Sequence, residues 1–170
     1  MIGIVNNPLE SFIITEEIRK IYPKCNIYIC NIEKINQAIE KLKAQGCKII
    51  IVPANSIISK LRKIHKEIVL LPIPVINKKE LFLLDNNDLI NEVVKGNIKK
   101  IEKILKQIKI EKTKSILIND PKLLLIKEYL YSIFSNKIIT SIDYLMIEIK
   151  KTIIEQKINC GNKKITITIY

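Results

Sequence analysis

The chain has 170 residues, 48% of them hydrophobic and 27% charged, with a formal net charge of +12. That is enough chain and enough apolar side chain for one globular domain or two small lobes, and it excludes a disordered tail. No stretch approaches the roughly 18 uninterrupted apolar residues of a membrane span, and the opening "MIGIVNN" lacks the pattern of a signal peptide, so a cytoplasmic protein is expected.

Residues 2–5, "IGIV", read as a short buried strand, and "NNP" turns the chain. From Ser11 the apolar positions Phe12, Ile14, Ile18 and Ile21 follow helical spacing, with Ser11 as N-cap and Pro23 beyond the end. "NIYIC" at 26–30 reads as a strand. "KINQAIEKLKAQG" at 34–46 reads as an amphipathic helix closed by Gly46 in a left-handed cap. The apolar run at 47–52 stops at Pro53-Ala54-Asn55-Ser56, an elbow from which a helix of about ten residues is expected. "IVLLPIPVI" at 68–76 is a further strand region whose two prolines place it at an edge or a rim. The alternation argues for a parallel sheet with helices on its faces, and the elbow falls at a strand's carboxyl end, where such sheets bind ligands.

The second part opens with "DNNDLINEVVKGN", a helix expected to break near Gly96 and to run on to about Ile110. "KSILIND" at 114–120 is a strand with a second polar elbow, Asn119-Asp120-Pro121. "PKLLLIKEYLYSIF" reads as a helix and "KIIT" at 137–140 as a strand. Residues 141–156 read as a helix with Ser141 as N-cap and Asp143 in its first turn. The alternating tail "KKITITIY" reads as a strand. The fold class is therefore α/β: a doubly wound parallel-sheet lobe of residues 1–77 with 141–170, and a reduced second lobe over 78–140.

Four cysteines, Cys25, Cys30, Cys47 and Cys160, form no CxxC pair and have no nearby histidine, which points to reduced thiols and to no metal. His65, in the charged run "LRKIHKEI", reads as a solvated surface histidine. The basic stretch 95–114 keeps Ile98, Ile101, Leu105 and Ile108 on one face and reads as a solvated amphipathic helix. The charge is nearly all lysine, Arg19 and Arg62 being the two arginines, and aromatics make up 5%. Base readout favours the planar fork of arginine and stacking needs aromatic rings, so nucleic acid is disfavoured as a partner.

"IGIVNNPLESFIITEEIRKIYP" resembles the opening of glutamate racemases and related aspartate/glutamate racemases, which run strand, "FDSGVGG", and a helix with "EIR" and a closing proline. "LKAQGCKIIIVPANSI" is similar to the family's glycine, apolar strand and Ala-Cys-Asn-Thr segment. "SILINDPKLLLIKEYL" is similar to the segment around its Gly-Cys-Thr-His-Tyr-Pro-Leu-Leu motif, and "KIITSIDYLMIEIKKTI" to its Leu-Ile-Asp-Ser strand and last helix. The resemblance spans most of the chain in order, without much of the family's middle.

The resemblance implies a two-lobed fold and two cysteines that move an α-proton across the substrate. Here the first cysteine's place is Ala54 and the second falls on Asn119-Asp120. The opening Asp-Ser pair becomes Asn6-Asn7, with Pro8 and Glu10 where the family has glycines. Asn55 and Ser56 match the family's Asn-Thr, which implies clamps on a substrate's carboxylate and amine. The ligand set implied is Asn6, Asn7, Asn55 and Ser56, with Asp120 as a lone candidate base. Read from the residues alone, Ser56 serves equally as a helix cap and Asn55 as a turn residue.

The expectation is a degenerate racemase-like protein: a pseudoenzyme, a small-carboxylate binder, or an isomerase with replaced groups. Its ligand would be a small acidic amino acid or dicarboxylate, its assembly a homodimer, with no cofactor and no membrane. The alternative is a basic binding module for nucleic acid or an acidic protein partner.

Overall fold

The computed structural model describes residues 1–31, 34–53, 57–111, 114–158 and 167–169. In chain order its elements are β1 (Ile2–Val5), α1 (Pro8–Ile21), β2 (Ile27–Cys30), α2 (Ile35–Ala44), β3 (Ile49–Val52), α3 (Ile58–Ile64), β4 (Val69–Pro72), β5 (Phe82–Leu83), α4 (Asn87–Lys95), α5 (Ile98–Gln107), β6 (Ile116–Ile118), a 3-10 helix (Pro121–Ile126), α6 (Lys127–Ile133), β7 (Ile138–Thr140), α7 (Ser141–Glu155) and β8 (Ile167–Ile169). They form two compact units, Met1–Pro74 with Tyr144–Tyr170, and Val75–Asp143. The protein is α/β, and each unit holds a small parallel sheet.

In the first unit the strands run in the order β4-β3-β1-β2-β8, all parallel. β1 and β3 are central, and every residue of both is buried. Cover on both faces is why they read as unbroken apolar runs instead of alternating ones. Right-handed crossovers place α1, which leads from β1 to β2, on the face opposite α2, which leads back from β2 to β3. Ile39, Leu42 and Leu61 from α2 and α3 pack with Val5, Ile50, Val52 and Leu70 on one face of the sheet. Gly3 lets α2 come close: a Cβ there would lie 2.9 Å from Leu42 Cδ1 and 3.2 Å from Ile50 Cγ1.

β4 is the edge strand that its prolines predict. Val69 N–H donates to Lys48 O and Ile73 N–H to Val52 O, so the backbone of Leu70, Pro72 and Pro74 faces away from β3. Proline at 72 and 74 removes two donors from that open side. Arg62 closes it further, donating from Nε and Nη2 to Leu70 O at 3.3 and 3.0 Å. An edge so blunted cannot easily accept another strand.

α1 starts earlier than expected. Asn7, not Ser11, is its N-cap, accepting from Glu10 N–H, and Pro8 occupies the first turn. Proline suits that position because its missing N–H has no helical partner to lose. Ser11 lies inside the helix and is buried. α2 closes as expected: Gly46 has φ of +78°, with Gly46 N–H donating to Lys43 O and Cys47 N–H to Leu42 O. Those two bonds satisfy carbonyls the last turn would leave open. α3, at seven residues, is shorter than expected, and it has no side-chain cap at its start.

The second unit's sheet runs β5-β6-β7, parallel throughout. Strand order follows chain order, so its helices fall on one face. Leu89, Val93, Ile101, Leu105, Leu123 and Leu130 pack there against Ile116, Ile118 and Ile138. Gly96, with φ of +69°, separates α4 from α5 at the expected break. Of the expected apolar face of α5, Ile101 and Leu105 are buried but Ile98 is 66% exposed. The segment 121–133, expected as one helix, is a 3-10 helix followed by α6. Thr140 rather than Ser141 caps α7. Thr140 N–H donates to Asp143 Oδ2 at 2.8 Å and Asp143 N–H donates to Thr140 Oγ1 at 3.0 Å, the reciprocal pairing of a capping box. Among the described residues, no helix is long and apolar enough to cross a membrane.

Candidate functional site

Strand order in the first unit reverses direction at β1 and β3: the connection leaving β1 leads towards β2, and that leaving β3 leads towards β4. The crevice outside the carboxyl ends of such a strand pair is where doubly wound sheets take ligands. Asn6 and Asn7 follow β1 there, and Pro53 follows β3. Ala54, Asn55 and Ser56 lie outside the described residues.

Asn6 is buried, and its amide is spent within the chain. Oδ1 accepts from Asn7 N–H at 2.8 Å, and Nδ2 donates to Glu10 Oε2 at 2.9 Å. Asn7 Oδ1 accepts from Glu10 N–H at 3.0 Å. The two asparagines thus shape the turn and start α1. Glu10 adds a carboxylate to the helix's first turn, where the dipole favours a negative charge. An incoming anion would meet that charge. Glu10 therefore sets both the electrostatics and the backbone access of this strand end.

In the second unit the corresponding strand end, after β6, is also internally bonded. Asn119 Nδ2 donates to Ile76 O at 2.8 Å, and Ile76 N–H donates to Asn119 Oδ1 at 3.1 Å. Asp120 Oδ1 accepts from Lys122 N–H at 2.8 Å as the cap of the 3-10 helix, and Lys122 Nζ lies 3.4 Å from Oδ2. The Asp120 carboxylate thus shapes the turn before Pro121.

Among the described residues, the thiols give no nucleophile at either strand end. Cys25, Cys30 and Cys47 are free and buried. Cys47 precedes β3 at the opposite end of the strand from the elbow, and burial pushes its thiol up from an ordinary 9.0 to about 11. A thiol held neutral in this way is unreactive. The folded state holds the proton more tightly than the unfolded chain, so its contribution is fully present below pH 9.0 and is lost as pH rises through about 11. Loss of about 2–3 kcal/mol over that window is expected, because each unit of pKa is worth about 1.36 kcal/mol. Denaturant melts from pH 8.5 to 11.5, run beside Cys47→Ala, should show a larger alkaline loss in the parent than in the variant.

His65 is not a surface residue. It ends α3 and is 1% exposed. Nε2 is 2.8 Å from Asn36 Oδ1, and Nδ1 is 3.1 Å from Glu40 Oε1 without the alignment of a hydrogen bond. Beside it Lys43 bridges Glu67 and Glu40. The hydrogen bond to Glu67 and then that to Glu40 hold the Lys43 ammonium above the usual lysine range, and Lys43 holds Glu67 below the usual carboxylate range. The signal for this cluster is visible in the sequence: Asn36, Glu40 and Lys43 fall at i, i+4 and i+7 on one face of α2. It pins α3 against α2 through polar contacts.

Two open cavities in the first unit are lined by neither Asn6 nor Asn7. One, of about 480 Å³, is lined by Met1, Lys48, Glu67, Val69 and Lys157. The other, of about 360 Å³, is lined by Arg62, Leu71, Pro72, Leu145 and Ile147 at the β4 edge. Among the described residues, no group of three or more His, Cys, Asp or Glu side chains could hold a metal ion. No protein-family model matches the chain, and no curated protein sequence matches it.

Proposed function

We propose that the chain is a degenerate member of the aspartate/glutamate racemase superfamily that binds a small carboxylate without two-base chemistry. The observation that carries this reading is where β3 ends. The chain leaves β3 beside β1, at the point where the strand order reverses. The motif-by-motif resemblance points to the same elbow. Asn6 and Asn7 support the turn at the crevice, which leaves the holding of a ligand to Asn55 and Ser56. An amide, a hydroxyl and backbone N–H groups together suit a carboxylate.

Hydrogen bonds to a charged group contribute about 1.5–3 kcal/mol each, against binding costs of several kcal/mol. Affinity in the micromolar-to-millimolar range follows. A ligand at about 100 times its Kd raises stability by about 2.7 kcal/mol, which a thermal melt resolves easily. Glutamate, aspartate or a simple dicarboxylate should raise the melting temperature saturably, and Asn55→Ala should abolish the shift without lowering the ligand-free melt. If none of these ligands shifts the parent protein, or if Asn55→Ala melts early with no ligand present, the elbow is only a turn.

A further inference from the structure

We propose that Asn119 is a clasp that joins the two segments by which the chain enters and leaves the second unit, so that the two loosen together. This goes beyond the ligand-binding reading and does not depend on it.

The second unit comprises Val75–Asp143, so Ile76 stands next to its first residue and Ser141 lies close to its last. Both reach the same residue. The Asn119 carboxamide presents one donor and one acceptor, as a peptide group does, and pairs with both backbone groups of Ile76, at 2.8 and 3.1 Å. It does for the incoming segment what a neighbouring strand would do, at a place where β6 has already ended. The Asn119 backbone carbonyl accepts from Ser141 Oγ at 2.9 Å. Ser141 is 1% exposed, so its hydroxyl has little access to water as a substitute partner. On the outgoing side, Thr140 and Asp143 lock each other in the capping box around Ser141. One residue therefore holds the incoming chain by its side chain and the outgoing chain by its backbone.

The arrangement makes the two bonds interdependent. The side-chain pair with Ile76 fixes the backbone of Asn119, and that backbone orients the carbonyl which Ser141 reaches. Asparagine is the fitting residue, because aspartate lacks the donor for Ile76 O and leucine lacks both groups. Independent bonds would predict that a substitution disturbs only its own side; a clasp predicts that it disturbs both.

Amide hydrogen exchange on the full chain separates the two. In Asn119→Ala, Ile76 N–H should exchange about tenfold faster or more, having lost its acceptor. The amides of Thr140 and Asp143 should also speed up, although no group bonded to them has been removed, while Ile116 and Ile118 within β6 keep their protection. Ser141→Ala removes one hydroxyl and tests the reverse direction: Ile76 exchange should rise, by less than in Asn119→Ala. The proposal is overturned if each variant speeds only its own segment, if neither changes Ile76, or if β6 loses protection to the same degree as the two segments. Should Asn119→Ala fail to fold, the Ser141→Ala arm decides alone.

Discussion

Glutamate or aspartate incubated with this protein in deuterium oxide should keep both its α-proton and its handedness at the uncatalysed rate. Two-base racemisation needs one group to remove the α-proton and another, on the opposite face, to return it. Each positioned acid or base typically contributes about 10²–10⁴ in rate. At the first of the two matching positions stands Ala54, with no titratable atom. At the second, Asn119 has both ends of its amide engaged with Ile76, and Asp120 caps the 3-10 helix. Cys25, Cys30 and Cys47 are buried, and Cys47 is held as a neutral thiol. Without a positioned acid or base on either face, the about 10²–10⁴ that such a group contributes is forgone, and no turnover above background is expected. Proton NMR of the α-position, with chiral analysis of the same sample, makes the check. Exchange without inversion would point to a single surviving base, and loss of that exchange in Asp120→Asn would identify it. Inversion above background would refute the absence of two-base chemistry.

Leu42→Ala should cost about 2–5 kcal/mol, a large stability effect for a single truncation in the first unit. Leu42 is fully buried and packs from α2 onto the sheet beside Ile39, Val5 and Ile50. For a chain of this length the loss corresponds to a fall in melting temperature of about 10 °C. Gly3→Ala, on the opposite side of the same contact, should also destabilise, by about 1–3 kcal/mol, because the added methyl would press on Leu42 Cδ1. The double variant should then be less damaged than the sum of the two, since truncating Leu42 clears the space the methyl needs. Strict additivity would mean that Leu42 and Gly3 do not share the contact that sets the height of α2 above the sheet.

The glycines differ in how legible they were in the sequence. Gly46 adopts the left-handed cap that the spacing called for, and Gly96, where only a break was expected, is left-handed as well. Gly3 leaves no such signature, because its requirement comes from a residue 39 positions away. The strands of the first unit were readable because β1 and β3 are covered on both faces and keep their apolar runs unbroken. β5 was missed: its two residues are too few to show any period. The start of α1 was misread at Ser11, although Asn7-Pro8 carries the stronger chemistry for a helix start.

The strand ends were legible in the sequence, and the hydrogen bonds made at them were not. Strand ends and elbows follow from local pattern, whereas the partner of Asn119 is 43 residues distant in Ile76. His65 shows the same limit. Its charged neighbours made it look solvated, and only the packing of α3 on α2 turns its ring inward to Asn36 and Glu40. Side chains of Asn and His take their roles from the groups they meet, and a sequence lists those groups without saying which of them meet.

The central claim is that a carboxylate binds at the elbow after β3 and undergoes no chemistry there. The most direct test is an amide NMR titration of the labelled protein with glutamate, carried into the millimolar range that one or two charge-assisted bonds imply. The account predicts saturable shifts concentrated at Asn55, Ser56 and Ile57, with smaller ones at Asn6 and Asn7, and a ligand whose α-proton remains unexchanged throughout. An unchanged spectrum at those residues, or shifts that instead trace the lysine-rich face of α5, would contradict it.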